Sequence, residues 1–157
     1  MIHGAAPGAF DAVVEGALAS GVRVRFRAHG ASMYPAIRDG ETITAEPVKV
    51  ADIVCGDILL CRSRGRLLAH RVTAVDERGA VRTLRTRGDT NVGWDAPVAE
   101  ADVIGRVTAV ARGSRVVRLD GRAARLRHRV RAWLVETRRR AGNVRSRLSG
   151  HATIPVA

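Results

Sequence analysis

Ser32 lies in the run Gly30-Ala31-Ser32-Met33-Tyr34-Pro35, directly after a stretch of alternating Val and Arg. A glycine before the hydroxyl and a proline after it require the chain to turn sharply on an exposed loop, a setting that can present a nucleophile. A serine hydroxyl attacks well only when a neighbouring base removes its proton. Neutral imidazole, with an ordinary pKa of about 6.5, does this near neutrality and can then protonate a leaving amine. His70 is such a base, set in Ala69-His70-Arg71-Val72. A carboxylate that orients the imidazole completes this chemistry, and two acids, Asp89 and Asp95, follow within one short segment. Lys49 is the only lysine among the 27 basic residues, so few amines could serve instead, and arginine stays protonated. Taken singly, Ser32 reads as a turn former and His70 as a packed strand residue. Cys55 and Cys61 have neither a CxxC nor a paired zinc spacing and read as small buried hydrophobes. No metal and no cofactor is expected.

The order of short blocks says more than any one residue. After the serine loop come Asp39-Gly40-Glu41, Gly56-Asp57-Ile58-Leu59, Ala69-His70-Arg71-Val72, Arg87-Gly88-Asp89-Thr90-Asn91, Asp95, and Val103-Ile104-Gly105-Arg106-Val107. The series resembles the signal peptidase I family over residues 22 to about 110. Bacterial signal peptidases and LexA-type self-cleaving repressors carry a lysine base where this chain has His70, so the pattern is similar to the archaeal and endoplasmic-reticulum type with a Ser-His-Asp site. The resemblance implies a serine endopeptidase with Ser32 as nucleophile and His70 as general base. It favours Asp95 as the orienting acid, with Asp89 as the motif acid and the alternative. It also implies the Ser32 backbone N–H as oxyanion donor, since Gly30 stands where many bacterial relatives carry a second hydroxyl. Met33 and Pro35 are expected to shape the loop and the wall of the substrate cleft. The implied substrate is a signal, leader or precursor peptide extended along residues 22 to 30 and 66 to 70.

These groups must be held by a mainly β body. Phe10, Val13, Val14, Ala17 and Leu18 recur at helical spacing and predict a short helix ending at Gly21. Val22, Val24, Phe26 and Ala28 alternate with Arg23, Arg25, Arg27 and His29, the period of a half-buried strand. Further β runs are predicted at 42–45, 57–61, 67–75, 80–86, 103–111 and 115–119, separated by Gly- and Asp-containing turns. The resemblance implies a LexA/signal peptidase-like fold of coiled β-sheets. Leu126, Val130, Trp133 and Leu134 share one face of a basic amphipathic helix predicted over 122–140. The expected organisation is a helical segment at 1–21, a catalytic domain at 22–120, an Arg-rich helix and tail at 121–148, and a flexible end at 149–157.

Charge separates body from tail. Residues 121 to 148 hold ten Arg against Glu136 alone, a large part of the net charge of +12. An anionic surface is therefore the expected partner of the tail, with peripheral contact to an anionic membrane through residues 121–148. Nucleic acid fits less well, because Trp133 is the tail's one aromatic and no helix-turn-helix precedes the body. The longest charge-free runs span ten residues, half of what a membrane-spanning helix needs, and no signal peptide is evident. The expected location is the cytoplasm or, peripherally, a membrane face. The competing function class is a catalytically silent, peptidase-like binding module tethered by the same tail.

Overall fold

The computed structural model describes residues 8–78, 81–121 and 126. The chain divides after Arg125, and all of the architecture below belongs to the first unit. The expected helix over 122–140 and the expected flexible end lie outside the described residues.

The described chain is mainly β, with one α-helix and seven antiparallel strands in one sheet. Helix α1 (Ala9–Ala19) comes first, followed by β1 (Val24–Arg27), β2 (Thr42–Glu46), β3 (Ile58–Ser63), β4 (Arg66–Arg78), β5 (Val81–Arg87), β6 (Val103–Arg112) and β7 (Arg115–Arg118). The spatial order is β1-β2-β6-β3-β4-β5, with β7 also on β6. Strand β6 organises the sheet. Its residues from Arg106 to Ala111 pair with β2, while Val103 to Val107 pair with β3 and Ala109 to Arg112 with β7. Bulges at Thr44/Ala45, Leu60/Cys61 and Val72/Ala74 interrupt the ladders, and each extra residue bends its strand and adds twist.

The apolar run Ile58 to Cys61 explains itself once placed. β3 lies between β6 and β4, and both its faces are covered, so successive residues are all buried rather than alternating. Ile58 joins a cluster with Met33, Ile37, Ile43, Val107 and Val110. Leu59 and Cys61 join Ile53, Val72 and Leu84, and Leu60 meets Val14 and Leu18 of α1. Truncating Leu59, which is wholly buried, removes transfer energy and leaves a cavity, at a cost of about 2–5 kcal/mol. β1 shows the expected alternation: Val24 and Phe26 are half-buried, whereas Arg25 and Arg27 are exposed.

Helix α1 ends in a Schellman arrangement. Gly21, at φ 82, donates to the Leu18 carbonyl and Val22 donates to Ala17, which satisfies carbonyls the helix leaves open. Only Val14 and Leu18 of the predicted apolar stripe are buried; Phe10 and Val13 stay exposed because the helix contacts the sheet along one narrow line.

Candidate active site

Ser32 sits on a loop pinched at its base. Ala28 donates to the Glu41 carbonyl at 2.9 Å and accepts from Gly40 at 2.8 Å, so residues 29 to 39 bulge out from the end of β1. Gly30 takes φ 101, a left-handed conformation that a side chain would strain, and its N–H donates to Asp39 Oδ1 at 2.7 Å. Arg112, at the end of β6, grips the loop from below. It donates to both carboxylate oxygens of Glu41 (2.7 and 3.0 Å) and to the Pro35 and Ala36 carbonyls (3.3 Å each). The hydrogen bonds from Arg112 hold the Glu41 carboxyl below its ordinary pKa, against the opposing effect of burial.

His70 lies on β4, buried opposite Leu59 of β3. Its Nε2 is 3.0 Å from Ser32 Oγ, and its Nδ1 is 2.6 Å from Asp95 Oδ2. An ionised carboxylate can only accept, so Nδ1 carries the proton and donates to Asp95. That leaves the Nε2 lone pair facing the serine, which donates its O–H there. The imidazole thus has the tautomer a general base requires. Asp95 is itself held: its N–H donates to the Thr86 carbonyl at 3.1 Å, and Thr86 Oγ1 donates to the same Oδ2 at 2.7 Å.

Asp89 goes elsewhere. Its two oxygens accept from Arg71 Nε and a terminal guanidinium nitrogen, each at 2.7 Å, in a paired geometry matched to the carboxylate. The side chains of Arg71 and Asp89 are 6% and 12% exposed, so this is an interior pair. The third contact of Arg71 reaches the Gly56 carbonyl at 2.9 Å. One guanidinium therefore ties β4 to the turn before β3 and to the loop after β5. That last loop also holds the serine: Thr90 donates its N–H to the Ser32 carbonyl at 3.0 Å, and its hydroxyl lies 3.1 Å from the same oxygen. Gly88 lets the two loops meet, since a Cβ there would stand 2.8 Å from the Ser32 carbonyl oxygen.

The residues singled out from sequence thus divide. Ser32, His70 and Asp95 are brought into one hydrogen-bonded line, and Asp89 is excluded from it. Met33 does not offer a cleft wall. It is 4% exposed and packs with Ile37, Ile43, Ile58 and Val107, because the loop needs an apolar anchor where it leaves the sheet. Pro35 is half-buried at the loop's far side, where Arg112 takes its carbonyl. Among the described residues no acceptor takes the Ser32 backbone N–H, which leaves it available to a ligand. Cys61 is buried in the core, and burial pushes its thiol up to about 12, so it is not a nucleophile. Cys55 donates its thiol to the Thr73 carbonyl at 3.2 Å. No cluster of potential metal ligands is found among the described residues.

Thr86, Thr90, Gly88 and Arg112 were not assigned roles from the sequence. Thr86 carries a usable signal: it occupies the inward parity of β5 with Leu84, and a hydroxyl on a buried face requires a partner. Arg112 carries none, since its partners lie more than 70 residues away.

A cavity of about 220 Å³ opens on the acid side of this line, reaching His70, Asp95 and Thr86 over a floor that includes Cys61, Leu68 and Val98. No helix among the described residues is long and apolar enough to cross a membrane. The chain matches no family model, no curated protein and no solved structure.

Proposed function

We propose that this protein is a serine endopeptidase of signal peptidase I type, with a LexA/signal peptidase-like fold, that cleaves a signal, leader or precursor peptide. The observation that carries the reading is the continuous line Ser32 Oγ, His70 Nε2, His70 Nδ1, Asp95 Oδ2, with spacings of 3.0 and 2.6 Å. His70 takes the Ser32 proton as Oγ attacks the scissile carbonyl, and Asp95 offsets the charge that develops on the ring. The Ser32 N–H donates to the oxyanion. Collapse expels the amine, which takes its proton from His70 and leaves an acyl-enzyme on Ser32. Water, activated by the same imidazole, then releases the acid and restores the serine.

Two features of the sheet support a peptide substrate. β1 stands at one end of the strand order, and β4 pairs with β5 only from Arg71 onward, so β4 residues before it have an unpaired edge. These edges adjoin Ser32 and His70, and an extended peptide can add to them by main-chain hydrogen bonds. The Arg-rich residues 121–148 are proposed to contact an anionic surface and hold the enzyme near its substrate.

The test is cleavage of a peptide library by purified protein, read by mass spectrometry, with Ser32→Ala, His70→Ala and the double variant alongside. Each single variant is expected to lose nearly all turnover, with the double no worse, because nucleophile and base act as one unit. Substantial turnover by Ser32→Ala would remove the serine from the mechanism. A wild type that cleaves nothing would remove the peptidase.

A further inference from the structure

Backbone bonds fix where Asp95 sits but not which way its carboxylate turns. The segment from Asp95 to Val98 runs back along β5. Asp95 donates to the Thr86 carbonyl at 3.1 Å, and Leu84 and Val98 exchange N–H to C=O bonds of 3.2 and 2.8 Å. These bonds hold the main chain of Asp95 beside Thr86. The last side-chain torsion of an aspartate is broad and roughly two-fold, so the carboxylate can turn until a donor binds one of its oxygens.

Two donors do so, and both choose the same oxygen. His70 Nδ1 lies 2.6 Å from Oδ2, and Thr86 Oγ1 lies 2.7 Å from it. No donor among the described residues takes Oδ1. Thr86 is buried on the inward parity of β5, and Oδ2 of Asp95 is the partner its hydroxyl finds there. The Asp95 side chain is by contrast partly exposed, and it lines a cavity that Arg62 and Arg64 also line. Water or a guanidinium in that cavity offers the carboxylate a rival partner.

We propose that Thr86 is a positioning residue whose hydroxyl latches the Asp95 carboxylate onto His70 and keeps it from turning into the adjoining cavity. This deepens the peptidase reading, and its catalytic consequence rests on that reading. With the hydroxyl present, turning the carboxylate breaks two bonds to Oδ2 at once. Without it the imidazole alone holds the acid. An acid that turns away leaves the ring without the acceptor that keeps the proton on Nδ1 and the Nε2 lone pair toward Ser32. A valine would suit the strand and its apolar neighbours as well as a threonine does, so the hydroxyl is what this position supplies beyond packing.

Thr86→Val keeps the shape and removes the donor, whereas Thr86→Ser keeps the donor; Thr86→Ala, which also lacks it, is read beside them. On a cleaved peptide, kcat of Thr86→Val and Thr86→Ala should fall by about tenfold or more with KM little changed, and Thr86→Ser should regain most of that loss. In an Asp95→Asn background Thr86→Val should cost nothing further, because it acts through the acid. The low-field proton resonance of His70 Nδ1–H reads the same bond with no substrate present. It should be seen in wild type and Thr86→Ser and be lost or moved upfield in Thr86→Val. A Thr86→Val that keeps the wild-type resonance, a Thr86→Ser as impaired as Thr86→Val, or a full additional loss in the Asp95→Asn background overturns the latch and leaves the peptidase standing. The expected resonances in a wild type that cleaves no peptide would support the latch and remove the peptidase.

Discussion

Gly88→Ala is a small change that reaches Ser32, the proposed nucleophile, through its backbone carbonyl. An added Cβ would stand 2.8 Å from the Ser32 carbonyl oxygen and 2.9 Å from Asn91 Nδ2, where ordinary contact begins at 3.4 Å. The Asn91 amide can rotate away, but the Ser32 oxygen is backbone, and relief requires it to retreat by about half an ångström. That retreat stretches the 3.0 Å bond from Thr90 and carries Ser32 Oγ off its 3.0 Å approach to His70 Nε2. Misplacement by about 1 Å at a reacting centre costs on the order of a hundredfold, so kcat/KM should fall by about tenfold or more. Overpacking of a filled site costs about 1–3 kcal/mol, which lowers the melting temperature by roughly 5–15 °C for a body of this size. The assay is steady-state cleavage well below the variant's melting temperature, with Gly93→Ala as control, because a Cβ at Gly93 meets nothing within 4 Å. Full kcat/KM in Gly88→Ala, or a loss that only tracks the unfolded fraction, would refute the claim that this contact positions the serine.

The two acids should separate by assay. Asp95→Asn removes the acceptor that fixes the imidazole tautomer, so turnover should drop by on the order of a thousandfold or more with little change in melting temperature. Asp89→Asn leaves the buried Arg71 guanidinium without its counter-charge, so stability should fall by about 3 kcal/mol and turnover by less than in Asp95→Asn. The reverse order of turnover loss at unchanged stability would exchange their roles. Glu41 predicts a pH dependence. Its folded pKa is held below the ordinary 4.5 by Arg112, so its contribution to stability is present above that value and fades as pH falls through the depressed one. Glu41→Gln should therefore melt below wild type at pH 7 and converge on it in acid, and a gap that persists at pH 2 would show that charge is not what Glu41 supplies.

The strands were largely legible because their physics is local. The Val/Arg alternation at 22–28 and the apolar run at 58–61 each specify a strand from neighbouring residues alone, and β1 and β3 occupy those stretches. The far end of β4 was less so: the strand was expected to stop near Val75 but continues to Arg78, because Asp76, Glu77 and Arg78 pair with Thr83, Arg82 and Val81 of β5. Ser32 and His70 could be named from residue type and motif order. Whether Asp89 or Asp95 meets His70 could not be fixed from spacing, since it depends on which acid Arg71 takes, and Arg71 is committed by a carbonyl at Gly56 in another block. Met33 was expected to shape the loop and the cleft wall, and its depth in the core was not legible, because its burial depends on residues from β2, β3 and β6 that surround it only after folding.

The segment from Thr86 to Asp95 carries more of the candidate site than any single side chain of the proposed triad. It supplies the acid, the hydroxyl and carbonyl that orient the acid, the N–H that holds the serine loop, the glycine that lets the loop approach, and the carboxylate that neutralises Arg71. Those ten residues therefore fix Asp95 and Ser32 relative to each other, while the backbone of His70 is carried by the β3–β4 ladder. Arg71, adjacent to His70 in sequence and bonded to Asp89 in space, is the link between the two assemblies. Its bond to Asp89 ties the strand of His70 to the loop that holds Ser32, so a substitution at Arg71 is expected to change the Ser32–His70 distance without removing any member of the proposed triad.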